Sequence, residues 1–366
     1  MTAMAQAFAE SRIKAEHKDR IHDISFDYYG TRMATCSSDQ NVKVWDLDEK
    51  QQWKCTTSWK SHRASAWRVT WAHPEFGQVL ATCSFDRTAT IWQETIVEAT
   101  QSDDLEHVWV HKANLVDSTT SVKDVKFSPH YLGLQLATCS AKGIVYIYEA
   151  TDIMNLTHWT MQHQINCDMP CSCLSWSTNK SHNPMIAIGS DDSSPGTGGK
   201  VVIYECNSDS HEWVMIHRIA QLVDPVNDLK FAPNVGLSYH MLAIASNDLC
   251  IYHLKPNDDG EDINNILNNV NNINFHSTFS HSGVLNVSQV VRFTDHNCNV
   301  LRVAWNDFGN LLVSNGDDGQ ILVWMENYMQ KWKAVGFLKH SSSSKSGYSL
   351  QGFNGLSMDN AGIPYY

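Results

Sequence analysis

Apolar and polar positions alternate through residues 33–45 in a way that predicts a hairpin. Cys36, Val42 and Val44 face one way, Ser38-Asp39-Gln40-Asn41 supplies a tight turn, and Trp45 closes the second strand. The pattern recurs. Residues 80–92, ending at Trp92, match it almost position for position, and 136–148, ending at Tyr148, form a third copy. Fainter copies end at Tyr204 and Tyr252, and a sharper one at Trp324. Six copies of one supersecondary unit in one chain predict a repeat architecture.

Each hairpin is preceded by a short alternating stretch: Ile21, Ile24 and Phe26 in the first unit, then 66–71, 122–127, 171–176, 226–231 and 300–305. Outer strands are predicted at 53–59, 106–111, 156–162, 213–219, within 278–293, and at 332–338. Four antiparallel strands in about 45 residues is the size of a propeller blade. The fold class is therefore all-β, with six four-stranded blades over 17–340. Residues 1–16 are a lead-in, with 7–14 readable as a helix or a lone strand. Residues 255–274 are acidic and then asparagine-rich, a long loop; 341–366 are serine- and glycine-rich, a disordered tail.

The chain has 366 residues and a formal net charge of −12, with no Lys/Arg cluster. That lowers the expectation of direct nucleic-acid binding, which needs a basic surface. No apolar run approaches the roughly 20 residues of a membrane span, and residues 1–10 lack the basic start of a signal peptide. Of the ten cysteines, Cys36, Cys83 and Cys139 take the same place in successive units. They read as core thiols in a reducing compartment, not as a disulfide framework. The sequons at Asn155 and Asn286 are then silent.

Three units carry a matching polar set: His17, Thr35, Asp39 and Trp45; His62, Thr82, Asp86 and Trp92; His296, Ser314, Asp318 and Trp324. The hydroxyl stands ten residues before the Trp and the Asp six before it in all three. Such spacing suits a buried hydrogen-bonded relay from indole to hydroxyl to His and Asp. A Ser/His/Asp nucleophile is the alternative, but three copies of one catalytic set in one chain argue against it. Units three to five lack most of the set and end in Tyr, so they are expected to hold together mainly by packing.

Other motifs fail. Residues 196–200 resemble a phosphate loop but lack the first glycine and the Ser/Thr after the Lys. Cys171 and Cys173 have the wrong spacing for a zinc knuckle. The 18 histidines scatter, and residues 258–262 lack a full calcium-loop pattern. No cofactor or metal is expected.

The recurring Ala-Thr-Cys-Ser-x-Asp…Val/Ile-Trp units resemble WD-repeat β-propellers over roughly residues 17–340. More closely, residues 17–40 together with 65–77 resemble the SEC-thirteen-homologue nucleoporins, close siblings of the SEC-thirteen coat protein. The resemblance implies an open six-bladed ring in the Y-shaped scaffold of the nuclear pore. A helical-solenoid nucleoporin then supplies strands for a seventh blade, beside other Y-complex nucleoporins. It also implies a second role, with GATOR-type subunits that relay amino-acid supply to the TOR kinase at lysosomes. One sequence feature fits: unit six has its own outer strand, which leaves the lead-in spare. An uncovered strand edge attracts strand addition. The expected edge residues are Phe8, Ile13, Val42, Val44, Trp332, Val335 and Phe337. A peptide-reading adaptor, using Arg63, Arg68 and Arg87 near the channel, and a vesicle-coat subunit are the alternatives. No complete catalytic set supports an enzyme.

Overall fold

The computed structural model describes residues 13–98, 105–194, 198–234, 236–256, 285–329, 331–339 and 349–350. Blade one is β1 (Ile21–Phe26), β2 (Arg32–Ser37), β3 (Asn41–Leu47) and β4 (Trp53–Lys60). Blade two is β5 (Ala66–Trp71), β6 (Val79–Ser84), β7 (Ala89–Glu98) and β8 (Leu105–Leu115). Blade three is β9 (Val122–Phe127), β10 (Gln135–Ser140), β11 (Ile144–Ala150) and β12 (Trp159–Asn166). Blade four is β13 (Cys173–Trp176), β14 (Met185–Gly189), β15 (Val201–Cys206) and β16 (Trp213–Arg218). Blade five is β17 (Asp228–Phe231), β18 (His240–Ala245), β19 (Leu249–Pro256) and β20 (Leu285–Phe293). Blade six is β21 (Val300–Trp305), β22 (Leu311–Gly316), β23 (Gln320–Glu326) and β24 (Trp332–Lys339), with a short fifth strand, β25 (Ser349–Leu350).

Every blade is an antiparallel meander in sequence order. The third and fourth strands slip register at the same place in all six, immediately before Trp45, Trp92, Tyr148, Tyr204, Tyr252 and Trp324. A bulge there bends the sheet and turns the closing aromatic into the space between blades. Inner strands pack in succession, β1 on β5, β5 on β9, β9 on β13, β13 on β17 and β17 on β21. The core is thus a series of layers between neighbouring sheets. Ala34, Cys36, Val42 and Val44 of blade one, for example, meet Ala66, Val69, Leu80 and Trp92 of blade two.

Three expectations shift. The outer strand of blade three starts at Trp159 rather than 156: Asp152 and Asn155 hold 152–157 in turns, and Leu156 is buried there. Most of the lead-in reading, residues 1–12, lies outside the described residues; residues 13–16 form neither helix nor strand, Glu16 being left-handed (φ 51°) and Lys43 Nζ tying the Ala15 and Glu16 carbonyls at 2.8 and 2.9 Å. Within the tail, β25 pairs with β24. The rest of the tail, most of the asparagine-rich loop, and Phe8 lie outside the described residues. Among the described residues, no helix is long and apolar enough to cross a membrane.

Candidate partner-binding interface

Each blade presents one face to its predecessor and one to its successor. On the predecessor side the inner strand carries an aliphatic residue, one intervening residue and an aromatic. In chain order the pairs are Ile24 and Phe26, Val69 and Trp71, Val125 and Phe127, Leu174 and Trp176, Leu229 and Phe231, and Val303 and Trp305. In blades two to six the aliphatic residue is at most 2% exposed. In blade one, Ile24 is 53% and Phe26 54% exposed, and Ile21 is exposed too.

The successor side of blade six mirrors this. Ala34, Ala81, Ala137, Ala187 and Ala243 are fully buried on the second strands of blades one to five, but Val313, their counterpart, is only half-buried. Asn315 stands where Cys36, Cys83 and Cys139 stand, and its Oδ1 is shielded from solvent without a hydrogen-bond partner. The two incompletely covered faces are thus the first and the last of the series.

Polar contacts between blades tell the same story. The Asp23, Asp124 and Asp228 carboxylates accept the N–H of Val69, Leu174 and Val303 on the following blade, at 3.3, 3.0 and 3.2 Å. The Trp71, Trp176 and Trp305 indoles donate back to the Ser25, Lys126 and Lys230 carbonyls. Arg68, buried in the centre, lies 3.7, 3.6 and 3.4 Å from Asp23, Asp124 and Asp228. In blade six the staple position holds Arg302, which cannot accept; it donates to the His22 carbonyl of blade one at 3.4 Å.

The expected edge residues fall elsewhere. Val42 and Val44 are fully buried against blade two and are not on a free edge; their alternation signals an interblade layer. Trp332 and Phe337 pack into the layer between blades five and six, Trp332 edge-on to Trp305, so they too face away from the gap. Val335 sits half-buried at the bulge of β24, and Ile13 is half-buried in the lead-in. Ile24, Phe26 and Val313 were missed. Aligning the six inner strands with one another, rather than looking for spare strands, would have found the first two.

Two of the three polar sets are complete, and the third forms only in part. In blade one, His17 reaches Asp39 at 3.0 Å and Thr35 at 2.9 Å, and Trp45 Nε1 donates to Thr35 at 3.1 Å. In blade two the distances are 3.2, 2.8 and 3.1 Å for His62–Asp86, His62–Thr82 and Trp92–Thr82. In blade six, His296 and Trp324 both meet Ser314 at 2.8 Å, but His296 Nδ1 and Asp318 stand 3.8 Å apart. Burial raises the Asp39 carboxyl, but the Lys18 and Asn41 N–H groups and His17 outweigh it and leave it at about 2. Asp86 is likewise held low: His62, Thr88 and Arg63 outweigh burial. Burial pushes the Cys36, Cys83 and Cys139 thiols well up. Blades three to five do not rely on packing alone. Tyr148 donates to Asp117 at 2.9 Å, Tyr204 to the Asn166 carbonyl at 3.1 Å, and Tyr252 meets Gln289 at 3.2 Å. A phenol hydroxyl does there what an indole N–H does in the other blades.

The family model for the WD domain, G-beta repeat, matches residues 10–46, 53–93 and 287–325. The chain is 49% identical to nucleoporin SEH1-A of Xenopus laevis over 360 residues, 97% of this chain and 95% of that protein. It is 49% identical to human nucleoporin SEH1 over 356 residues (96% and 94%), and 47% identical to the Danio rerio protein over 344 (93% and 90%). With near-complete coverage on both sides and a propeller of six WD-type blades, the chain belongs to the SEH1 nucleoporin family.

Proposed function

We propose that this chain is a non-enzymatic scaffold subunit of the nuclear pore outer ring. In this reading a helical-solenoid nucleoporin docks by inserting strands between blades six and one, and other Y-complex nucleoporins follow in the assembly. The observation that carries it is the exposure of Ile24 and Phe26, whose counterparts in the other blades are covered by a neighbouring sheet. Covering each contributes about 1.5–3 kcal/mol, and an added blade supplies backbone pairing as well. The names of the relatives support the nuclear pore as the site of action; transport of mRNA and protein is the process this reading assigns to it. A second pool at the lysosomal surface, with GATOR-type subunits upstream of TOR signalling, would use the same gap. The peptide-reading alternative is weakened because Arg68 is buried and engaged by three aspartates.

The test is co-expression with a solenoid nucleoporin carrying an N-terminal β segment. Ile24→Asp and Phe26→Asp are each expected to weaken capture about tenfold or more. Equal capture of a partner lacking the β segment would sink the reading.

A further inference from the structure

Blade six departs from blades one and two in three linked ways. In those blades a serine ends the second strand, Ser37 or Ser84, and its hydroxyl accepts the N–H of Asp39 or Asp86 at 3.1 Å. The histidine Nδ1 then meets the carboxylate directly. Blade six has Gly316 at that place, and Cys298 two residues after the histidine, where the others have Asp19 and Ala64. His296 and Asp318 have drawn apart to 3.8 Å. His296 is only 5% exposed, yet its Nδ1 has no hydrogen-bond partner.

The space that opens is not shapeless. A Cβ on Gly316 would lie 2.7 Å from His296 Nδ1, 2.8 Å from an Asp318 carboxylate oxygen and 2.8 Å from Cys298 Sγ. Three donor atoms thus converge on one point that only glycine leaves empty, and all lie within 4.8 Å of one another. Around a tetrahedral ion with bonds near 2.0–2.3 Å, ligand atoms stand about 3.5 Å apart. No pair therefore has to close by more than about 1.3 Å. Cys298 is partly buried and Asp318 is exposed, and they sit on a loop and a hairpin turn, which can supply that movement.

We propose that His296, Cys298 and Asp318 bind one divalent transition-metal ion, zinc by preference, which bridges the break in the third polar relay. The ligand chemistry decides the class of ion. Imidazole and thiolate favour zinc, whereas magnesium and calcium take oxygen ligands. The buried end of the histidine is already oriented: Nε2 meets Ser314, which also accepts from Trp324, leaving Nδ1 toward the ion. Neutral imidazole is the form that ligates. Cys298 gives up its proton on binding, so uptake strengthens as pH rises. The ion ties the loop before β21 to the β22–β23 turn, a link that blades one and two make without metal.

The test uses the full chain, treated with chelator and titrated with Co²⁺. One equivalent is expected to produce thiolate-to-cobalt charge-transfer absorption, displaced by Zn²⁺. Cys298→Ser abolishes the band. Gly316→Ser abolishes it while keeping every donor, because the hydroxymethyl group fills the site. Cys55→Ser, which removes the exposed thiol of β4, keeps it. Absence of a band at one equivalent, or a band that survives Cys298→Ser, overturns the proposal.

Discussion

The junction between blades one and two and the junction between blades six and one are built from the same sequence pattern and end differently. At the first, Val69 and Trp71 enter a layer with Ala34, Cys36 and Val44. Asp23 staples the Val69 N–H, and Arg32 crosses to Glu94 with two bonds of 2.7 and 2.8 Å. At the second, Ile24 and Phe26 carry the same pattern, but their surface faces solvent. Arg302 reaches the His22 carbonyl across it. The difference teaches that the strand pattern encodes a face to be covered, while the covering layer comes from the neighbour. An apolar inner-strand face left open in a ring of closed ones is, in the proposed function, where a complementary sheet docks.

The sharpest way to break this comparison is to charge both faces. Val69→Asp places an unpaired carboxylate in a dry layer, and loss of at least about 4 kcal/mol is expected, enough to abolish soluble protein. Ile24→Asp at the equivalent place in blade one should change stability by less than about 0.5 kcal/mol while disabling partner capture. Soluble yield of the two variants side by side, with urea unfolding of whichever is soluble, decides it. If Ile24→Asp unfolds the chain as Val69→Asp does, the gap is closed in solution.

The next effect lies in the centre of the ring. Arg68→Ala leaves Asp23, Asp124 and Asp228 without their shared cation. Breaking a buried ionic cluster by removing one partner costs about 3–5 kcal/mol. Arg302→Ala removes one bond across the gap, worth about 1 kcal/mol. Melting temperatures should therefore fall far more for Arg68→Ala. Equal falls would mean that Arg302 closes the ring.

The repeat made the blades legible, because six near-identical hairpins fix strand number, order and register together. The offsets of ten and six residues likewise located the three relays, since a closing Trp at a bulge can reach only one hydroxyl of the neighbouring strand. The interface was not legible in the same way. Val42 and Val44 look identical to gap-facing residues in sequence, because both faces of a blade are apolar. Burial alone separates them. The central Asp–Arg cluster also escaped notice: Asp23, Arg68, Asp124 and Asp228 lie up to 205 positions apart, and only the arrangement of the inner strands around one centre brings them together. Gly316 and Cys298 carried no signal until the third relay could be compared with the other two.

A smaller effect asks whether the relays belong to blades or to junctions. Thr35→Val and Thr82→Val each strip the hydroxyl shared by an indole and a histidine. Each is expected to cost about 2 kcal/mol, through the buried donor and acceptor left unpaired. The relay of blade one lies beside the gap and that of blade two within a closed layer. Equal losses in urea unfolding identify the relay as a device that sets the register of its own blade. A loss confined to Thr82→Val would instead make it part of the interblade adhesive.

The last effect is the pH dependence that Asp39 gives blade one, as Asp86 gives blade two. Burial disfavours the charged form of Asp39, yet the Lys18 and Asn41 N–H groups and His17 hold its carboxyl at about 2, below the ordinary 3.8. A carboxyl lowered on folding binds its proton more weakly in the folded chain than in the unfolded one. Its contribution is therefore complete above the unfolded value near 3.8 and is lost as pH falls toward about 2. Asp39→Asn removes the charge and with it this dependence. Stability of the wild type and of Asp39→Asn should differ by a constant amount from pH 7 to about pH 5 and converge between roughly pH 4 and 2. Because this carboxylate lies beside the open face, the same titration with a partner bound at the gap separates the two faces of blade one. A convergence point unmoved by partner means that the lead-in already shields the relay; a shift to lower pH means that the partner completes the shielding.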